Sequence, residues 1–203
     1  MSPKDTELQG QRTAVPDAPH LALNVENLHK FLKRSNVEGY RPSDPPRTPE
    51  VRKFSTGQSN PTYLIDGKWV LRKQPPGARS NATAHRLDRE YAVLEALQNT
   101  DVPAPKPIAF CDDAQVLNGQ FYLMSFVKGR VLSSPALVGM TPDERRATYK
   151  SVIETLVKLH AVDWRKAGLQ DYGQVCPLNV ARMISALTVL LVFRSAETCI
   201  LVN

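Results

Sequence analysis

Hydrophobic and polar positions alternate with two different periods along this chain, and the switches between them outline its elements. In NVENLHKFLKRSN, Val25, Leu28, Phe31 and Leu32 recur at helical spacing on one face, with Asn24 placed to cap the helix. The Pro-rich YRPSDPPRTPE reads as a loop and a hinge. From Val51 the period shortens. VRKFST, TYLI and KWVLRK read as three strands, joined by a Gly57–Pro61 turn and a tight Asp66-Gly67 turn. AHRLDREYAVLEALQN returns to the helical period, with Leu87, Tyr91, Leu94 and Leu97 on one face. VPAPKP breaks it. PIAFC and FYLMSFV read as two more strands across the polar DDAQVLNGQ, and KGR as a turn. Thr141, Pro142 and Glu144 then supply a cap, a first helical residue and a capping box. This last helix runs through SVIETLVKLHAVD with Val152, Ile153, Leu156, Val157 and His160 as its stripe.

Five antiparallel strands with a helix against one face make a stable layer, so the expected class is α+β. Residues 1–20 read as a disordered leader and 21–127 as a first lobe holding the sheet. Residues 128–174 read as a hinge and the first helix of a second lobe. The apolar tail, 175–203, stands apart in composition: only Arg182, Arg194 and Glu197 are charged in it.

Composition narrows the function classes. The 203 residues are 42% hydrophobic and 23% charged, so a packed core is within reach. The net charge of +6 suits an anionic ligand such as a nucleotide. Its basic residues are scattered without aromatic interleaving, which argues against a nucleic-acid partner. Three cysteines without a CxxC pair favour a reducing, intracellular setting, cytoplasmic by default. The leader lacks a secretory apolar core and carries Asp5, Glu7 and Asp17, unlike a transit peptide. The longest apolar run, Met183 to Phe193, is too short to span a bilayer.

The chemistry gathers in KFSTGQSNPTYLIDGKWVLRKQPPG. A nucleoside triphosphate needs backbone N–H donors, a fixed cation, a carboxylate to hold that cation, and an apolar slot for its base. Gly57, Gln58 and Ser59 form a turn whose amides and hydroxyl can face phosphate oxygens. Pro61 biases Asn60 to extended backbone and stiffens the exit. Strand phase puts Val70 and Arg72 on one face, Leu71 and Lys73 on the other. Val70 then suits the base and Arg72 the phosphates, with Lys73 the less favoured cation. Glu90 lies beside the Leu87/Tyr91/Leu94 stripe and can point inward, where Arg72 is its natural partner. Each feature alone also fits a plain hairpin, a solvated strand cation or an exposed helical carboxylate; the conjunction favours a nucleotide site.

From Val51 to about Tyr172 the chain resembles the aminoglycoside phosphotransferase family of small-molecule kinases, which share the protein-kinase-like fold. FSTGQSNPTYLI resembles the nucleotide-positioning loop, WVLRKQPPG the third strand and LDREYAVLEAL the glutamate-bearing helix. VPAPKPIAFC and FYLMSFVKGRVL resemble the run into the hinge, and LVKLHAVDW the large helix that opens the C-terminal lobe. VLRKQPPG, LMSFVKGR and LHAVDWRKAGL resemble one branch more closely still, the kinase-like domain found N-terminal to acyl-CoA dehydrogenases of the family member 10 and 11 type. The resemblance implies ATP as substrate, Mg²⁺ in the intact family, and phosphorylation of a hydroxyl, in that branch on a hydroxyacyl-CoA or related hydroxy acid. It assigns Ser59 to the loop serine, Arg72 to the phosphate-binding cation and Glu90 to its partner. Ser125 and Val127 match hinge positions that hold adenine through backbone groups. Arg72 departs from the family's usual lysine, keeping the charge but not the point-charge geometry.

A kinase of this fold also uses an H-x-D-x-x-x-x-N loop and a second acidic metal ligand. No histidine follows His160 here, and the only acids after Asp163 are Asp171 and Glu197. His160 reads as a packed histidine and Asp163 as a capping or surface residue. The expectation is a C-terminally truncated fragment with no catalytic or metal residues of its own and weak or absent ATP binding. Apolar area on the last helix would stay uncovered, an association liability. The alternatives are a non-catalytic module that self-associates or pairs with a full-length relative, and an α+β domain with merely solvated strand cations. A peroxisomal or mitochondrial address for a longer parent stays open.

Overall fold

The structure is a computed structural model and describes residues 23–40, 48–54, 60–75, 86–129, 136–170 and 172. Helix α1, Val25–Arg34, opens it, followed by strands β1, Val51–Lys53, β2, Thr62–Ile65, and β3, Trp69–Lys73. Helix α2, Leu87–Leu97, precedes β4, Pro107–Cys111, the short α3, Ala114–Leu117, and β5, Phe121–Ser125. Helix α4, Pro142–His160, is the last element. The leader 1–20 and the tail 175–203 lie outside the described residues. Two compact units emerge, one from the described residues within Gln11–Leu94 and Pro105–Phe126, the other from those within Glu95–Ala104 and Val127–Asn203. Among the described residues no helix is long and apolar enough to cross a membrane.

The sheet belongs to the first unit. Its order is β1-β2-β3-β5-β4, and every neighbouring pair is antiparallel. Local chemistry sets the corners. Asp66 and Gly67 take positive φ of 50° and 65°, and Lys68 N–H closes the β2–β3 turn on the Ile65 carbonyl at 3.0 Å. Two positive-φ residues give a hairpin turn whose twist matches the strands, which is why Asp-Gly is legible there. Asp66 also accepts the Glu50 N–H at 2.8 Å, tying the turn to the start of β1. Polar DDAQVLNGQ is not a plain loop: Asp113 caps α3 by accepting the Gln115 N–H, and Asn118 ends it in the left-handed region.

One face of the sheet packs on α1. Asn24 caps that helix, accepting the Asn27 N–H at 2.9 Å, and Leu28, Phe31 and Leu32 are buried as the spacing predicts. Their cluster takes in Tyr63, Ile65, Trp69 and Leu71 from β2 and β3, and Phe121 and Leu123 from β5. Phe31 meets Phe121 edge-on with ring centroids 4.9 Å apart. The opposite face meets α2, where Tyr91 lies against Phe110 and Tyr122 at centroid distances of 5.6 and 5.9 Å. The sheet therefore carries a helix on each face, where the sequence called for one.

Helix α4 of the second unit starts with the expected capping box between Thr141 and Glu144 and with Pro142 in its first turn. Its inward side is not the expected stripe. Thr148 and Leu159 are buried and Val152 and Leu156 half-buried, while Ile153, Val157 and His160 are exposed. His160 is thus a surface residue and not a packed one. Asp163 behaves as a cap, accepting the N–H groups of Arg165 and Lys166 at 3.1 and 3.2 Å, and these bonds hold its carboxyl below the usual range.

Candidate functional site

Strand β3 lies in the middle of the sheet, and its alternation divides two environments. Trp69 and Leu71 join the α1 core, whereas Val70 and Arg72 face the side of α2. Register then builds a row across that second face. Arg72 lies opposite Thr62 on β2 and Tyr122 on β5, and Tyr122 lies opposite Phe110 on β4. Val70 lies opposite Leu64 and Met124 and is buried.

Glu90 reaches the row from α2. It sits three residues after Leu87 and four before Leu94, both buried, so helical geometry turns it toward the sheet with them. Arg72 Nε stands 3.2 Å from Glu90 Oε2, with side chains only 20% and 17% exposed. A pair this shielded is much less screened than a surface one. Among the described residues Arg72 Nε has no aligned hydrogen-bond acceptor, so charge holds the pair more than direction does.

Two further groups close on the same carboxylate. The Tyr122 hydroxyl donates to Glu90 Oε2 at 3.1 Å, and Asn60 Nδ2 donates to Glu90 Oε1 at 3.3 Å. Both residues are buried. Burial, and after it the Glu90 charge, push the Tyr122 phenol far above the ordinary tyrosine range, so it stays a donor. The sequence reading missed both groups. Tyr122 carried a signal, since a tyrosine in a strand expected to be buried needs a partner for its hydroxyl. Asn60 carried none, because a turn residue has no phase.

Other expected site residues stand as follows. Lys73 faces away from Glu90, donates to the Gln74 carbonyl at 3.3 Å, and has its amine pushed down by burial. Ser125 closes the β4–β5 edge: its N–H donates to the Lys106 carbonyl at 2.8 Å and its hydroxyl accepts the Lys106 N–H at 2.9 Å. An adenine contact through the Ser125 N–H requires that bond to open. Val127 is half-buried, two residues beyond β5. Gly57, Gln58 and Ser59 lie outside the described residues. The arrangement is a cation on the central strand with its counter-charge half-buried behind it, suited to holding an anion. Among the described residues no cluster of His, Cys, Asp or Glu side chains is placed to hold a metal ion.

A model of the phosphotransferase enzyme family matches residues 50–186. That range holds every residue of the row and continues past Tyr172, so the likeness reaches into the segment expected to be unrelated. The chain is 44% identical over 151 residues to acyl-CoA dehydrogenase family member 11 of Gallus gallus, covering 73% of this chain and 19% of that protein. It spans about a fifth of the length of the curated relatives it matches. A solved structure from Ralstonia eutropha JMP134, provisionally called an aminoglycoside phosphotransferase, superposes with a TM-score of 0.62 at 34% identity. The match covers 86% of this chain and 50% of that one. The ternary complex of streptomycin, ATP and APH(2″)-IIa superposes with a TM-score of 0.52 at 16% identity, covering 86% and 55% of the two chains, and bears on the fold alone.

Proposed function

The chain belongs to the phosphotransferase enzyme family, and from that premise we propose that the α2 face of its sheet holds the phosphates of ATP. One observation carries this reading: the shielded Arg72–Glu90 pair on the central strand. In it, Arg72 neutralises phosphate oxygens, Glu90 fixes the guanidinium, Val70 lines the base, and the Gly57-Gln58-Ser59 turn supplies amide donors. Ser125 is the proposed backbone contact of the adenine, once its N–H leaves the Lys106 carbonyl. A solved relative of the same fold is described in complex with ATP.

In the intact family member the phosphoryl group passes to a hydroxyl. The Pγ–O bond to ADP breaks, a P–O bond to the acceptor oxygen forms, and a base takes the hydroxyl proton. The proposed acceptor is a hydroxyacyl-CoA or related hydroxy acid, in keeping with a relative named as an acyl-CoA dehydrogenase family member. The 203 residues carry no H-x-D motif after α4, and we propose that this stretch by itself transfers no phosphate. Among the described residues no group of three or more His, Cys, Asp or Glu side chains is placed to hold Mg²⁺.

Thermal unfolding with and without ATP tests the reading. ATP at about 100 times its Kd adds roughly 2.7 kcal/mol to a protein that binds it only when folded. The expected result is a rise in Tm for the wild type and none for Arg72→Ala. No rise for the wild type overturns the nucleotide role. Phosphate transfer from radiolabelled ATP to a hydroxy acid overturns the inactivity.

A second reading has its own observation. Tyr149, Ile153 and Val157 follow one another at four-residue intervals along α4 and are 46%, 57% and 61% exposed. Such a face suits pairing with a full-length relative or with a second copy. Co-elution of the two chains in size exclusion supports pairing; separate elution removes it.

A further inference from the structure

We infer that Tyr122 and Asn60 are positioning residues for phosphate binding, acting on Arg72 through Glu90. The inference rests on the nucleotide reading above and adds what makes the arginine work there.

An arginine reads phosphate through a planar fork, so its orientation matters as much as its charge. The ion pair sets where the guanidinium sits, with Nε 3.2 Å from Glu90, only as firmly as the carboxylate itself is held. What is fixed is the carboxylate. Oε1 takes the Asn60 amide and Oε2 the Tyr122 hydroxyl, so its plane is pinned from both ends before Arg72 is considered. Both donors are enclosed. Tyr122 is buried between its register partners Arg72 and Phe110 and meets Tyr91 of α2. Asn60 is buried, and its carbonyl accepts the Thr62 hydroxyl at 3.1 Å.

Both donors are neutral, so they orient Glu90 without competing for its charge.

The test separates phosphate from base. Affinities for ATP and for adenosine are measured by calorimetry on the full chain for wild type, Tyr122→Phe, Asn60→Ala and Arg72→Ala. Removing one hydrogen bond to a charged group weakens ATP binding about tenfold. The expected result is that loss for Tyr122→Phe and Asn60→Ala, with adenosine affinity unchanged. A parallel loss for adenosine marks a general structural role and overturns the inference, as does an unchanged ATP affinity in both variants. If Arg72→Ala leaves ATP affinity intact, the nucleotide reading fails instead. The Arg72 Nε–Hε NMR resonance gives a ligand-free readout, taken against the backbone amide resonances that report folding. It should be sharp in the wild type and broadened in Tyr122→Phe, and an unchanged resonance overturns the positioning role even if no nucleotide binds.

Discussion

The two faces of the sheet are made by the same five strands and are built for different tasks. Toward α1, Tyr63, Ile65, Leu71, Phe121 and Leu123 form an apolar layer in which every one of them is at most 1% exposed. Toward α2, the neighbouring positions in the same strands are Thr62, Arg72 and Tyr122, gathered around Glu90. A single residue of strand phase separates them. The lesson is that the α1 face supplies the rigidity that lets the α2 face hold a charge in a set place, since a shielded ion pair on a loose scaffold would dissolve into water.

The comparison breaks most violently on the α1 side. Leu71→Ala should lower stability by about 2–5 kcal/mol, read by urea unfolding, because a fully buried side chain leaves a cavity. ATP affinity per folded molecule should barely change. Glu90→Ala comes next. It strands the Arg72 charge, and with the pair partly exposed the loss should be about 1–3 kcal/mol by the same measurement. Unlike Leu71→Ala, it should also abolish the rise in Tm with ATP.

Arg72→Lys sharpens the contrast between charge and geometry. Stability should move by under about 1 kcal/mol, while calorimetry shows ATP binding several-fold weaker, because an ammonium cannot reproduce the fork. The smallest effect concerns Lys73, the neighbour on the opposite face. Its amine is pushed below 10.5 by burial, so between its folded pKa and that value the unfolded chain binds more protons. Stability therefore rises with pH through that window. Lys73→Met should flatten the rise in a pH series of thermal melts and leave ATP binding alone.

Much of this was legible in order of locality. The caps at Asn24 and Thr141 and the Asp66-Gly67 turn each follow from a few adjacent residues, and each is found in place. The phase of β3 was legible because alternation is strict. It chose Arg72 over Lys73 as the partner of Glu90. The stripe of α4 was misread because Ile153 and Val157 are as apolar as Val152 and Leu156, so composition alone could not say which side turns inward. The helix α3 is not legible in the sequence because four residues give no period, and a capping Asp113 has the same polarity as a loop residue.

The sequence by itself determined which residues point the same way: Val70 with Arg72, Leu87 with Glu90 and Leu94. Those relations depend only on the repeat of a strand or a helix. Tertiary structure alone decided what they meet. The crossover that seats β5 beside β3, outside chain order, brings Tyr122 opposite Arg72. Packing ahead of β2 brings Asn60 to the other oxygen of the same carboxylate. Register and crossover come from the burial of whole faces, a sum over many distant residues, and no local window of sequence contains that sum.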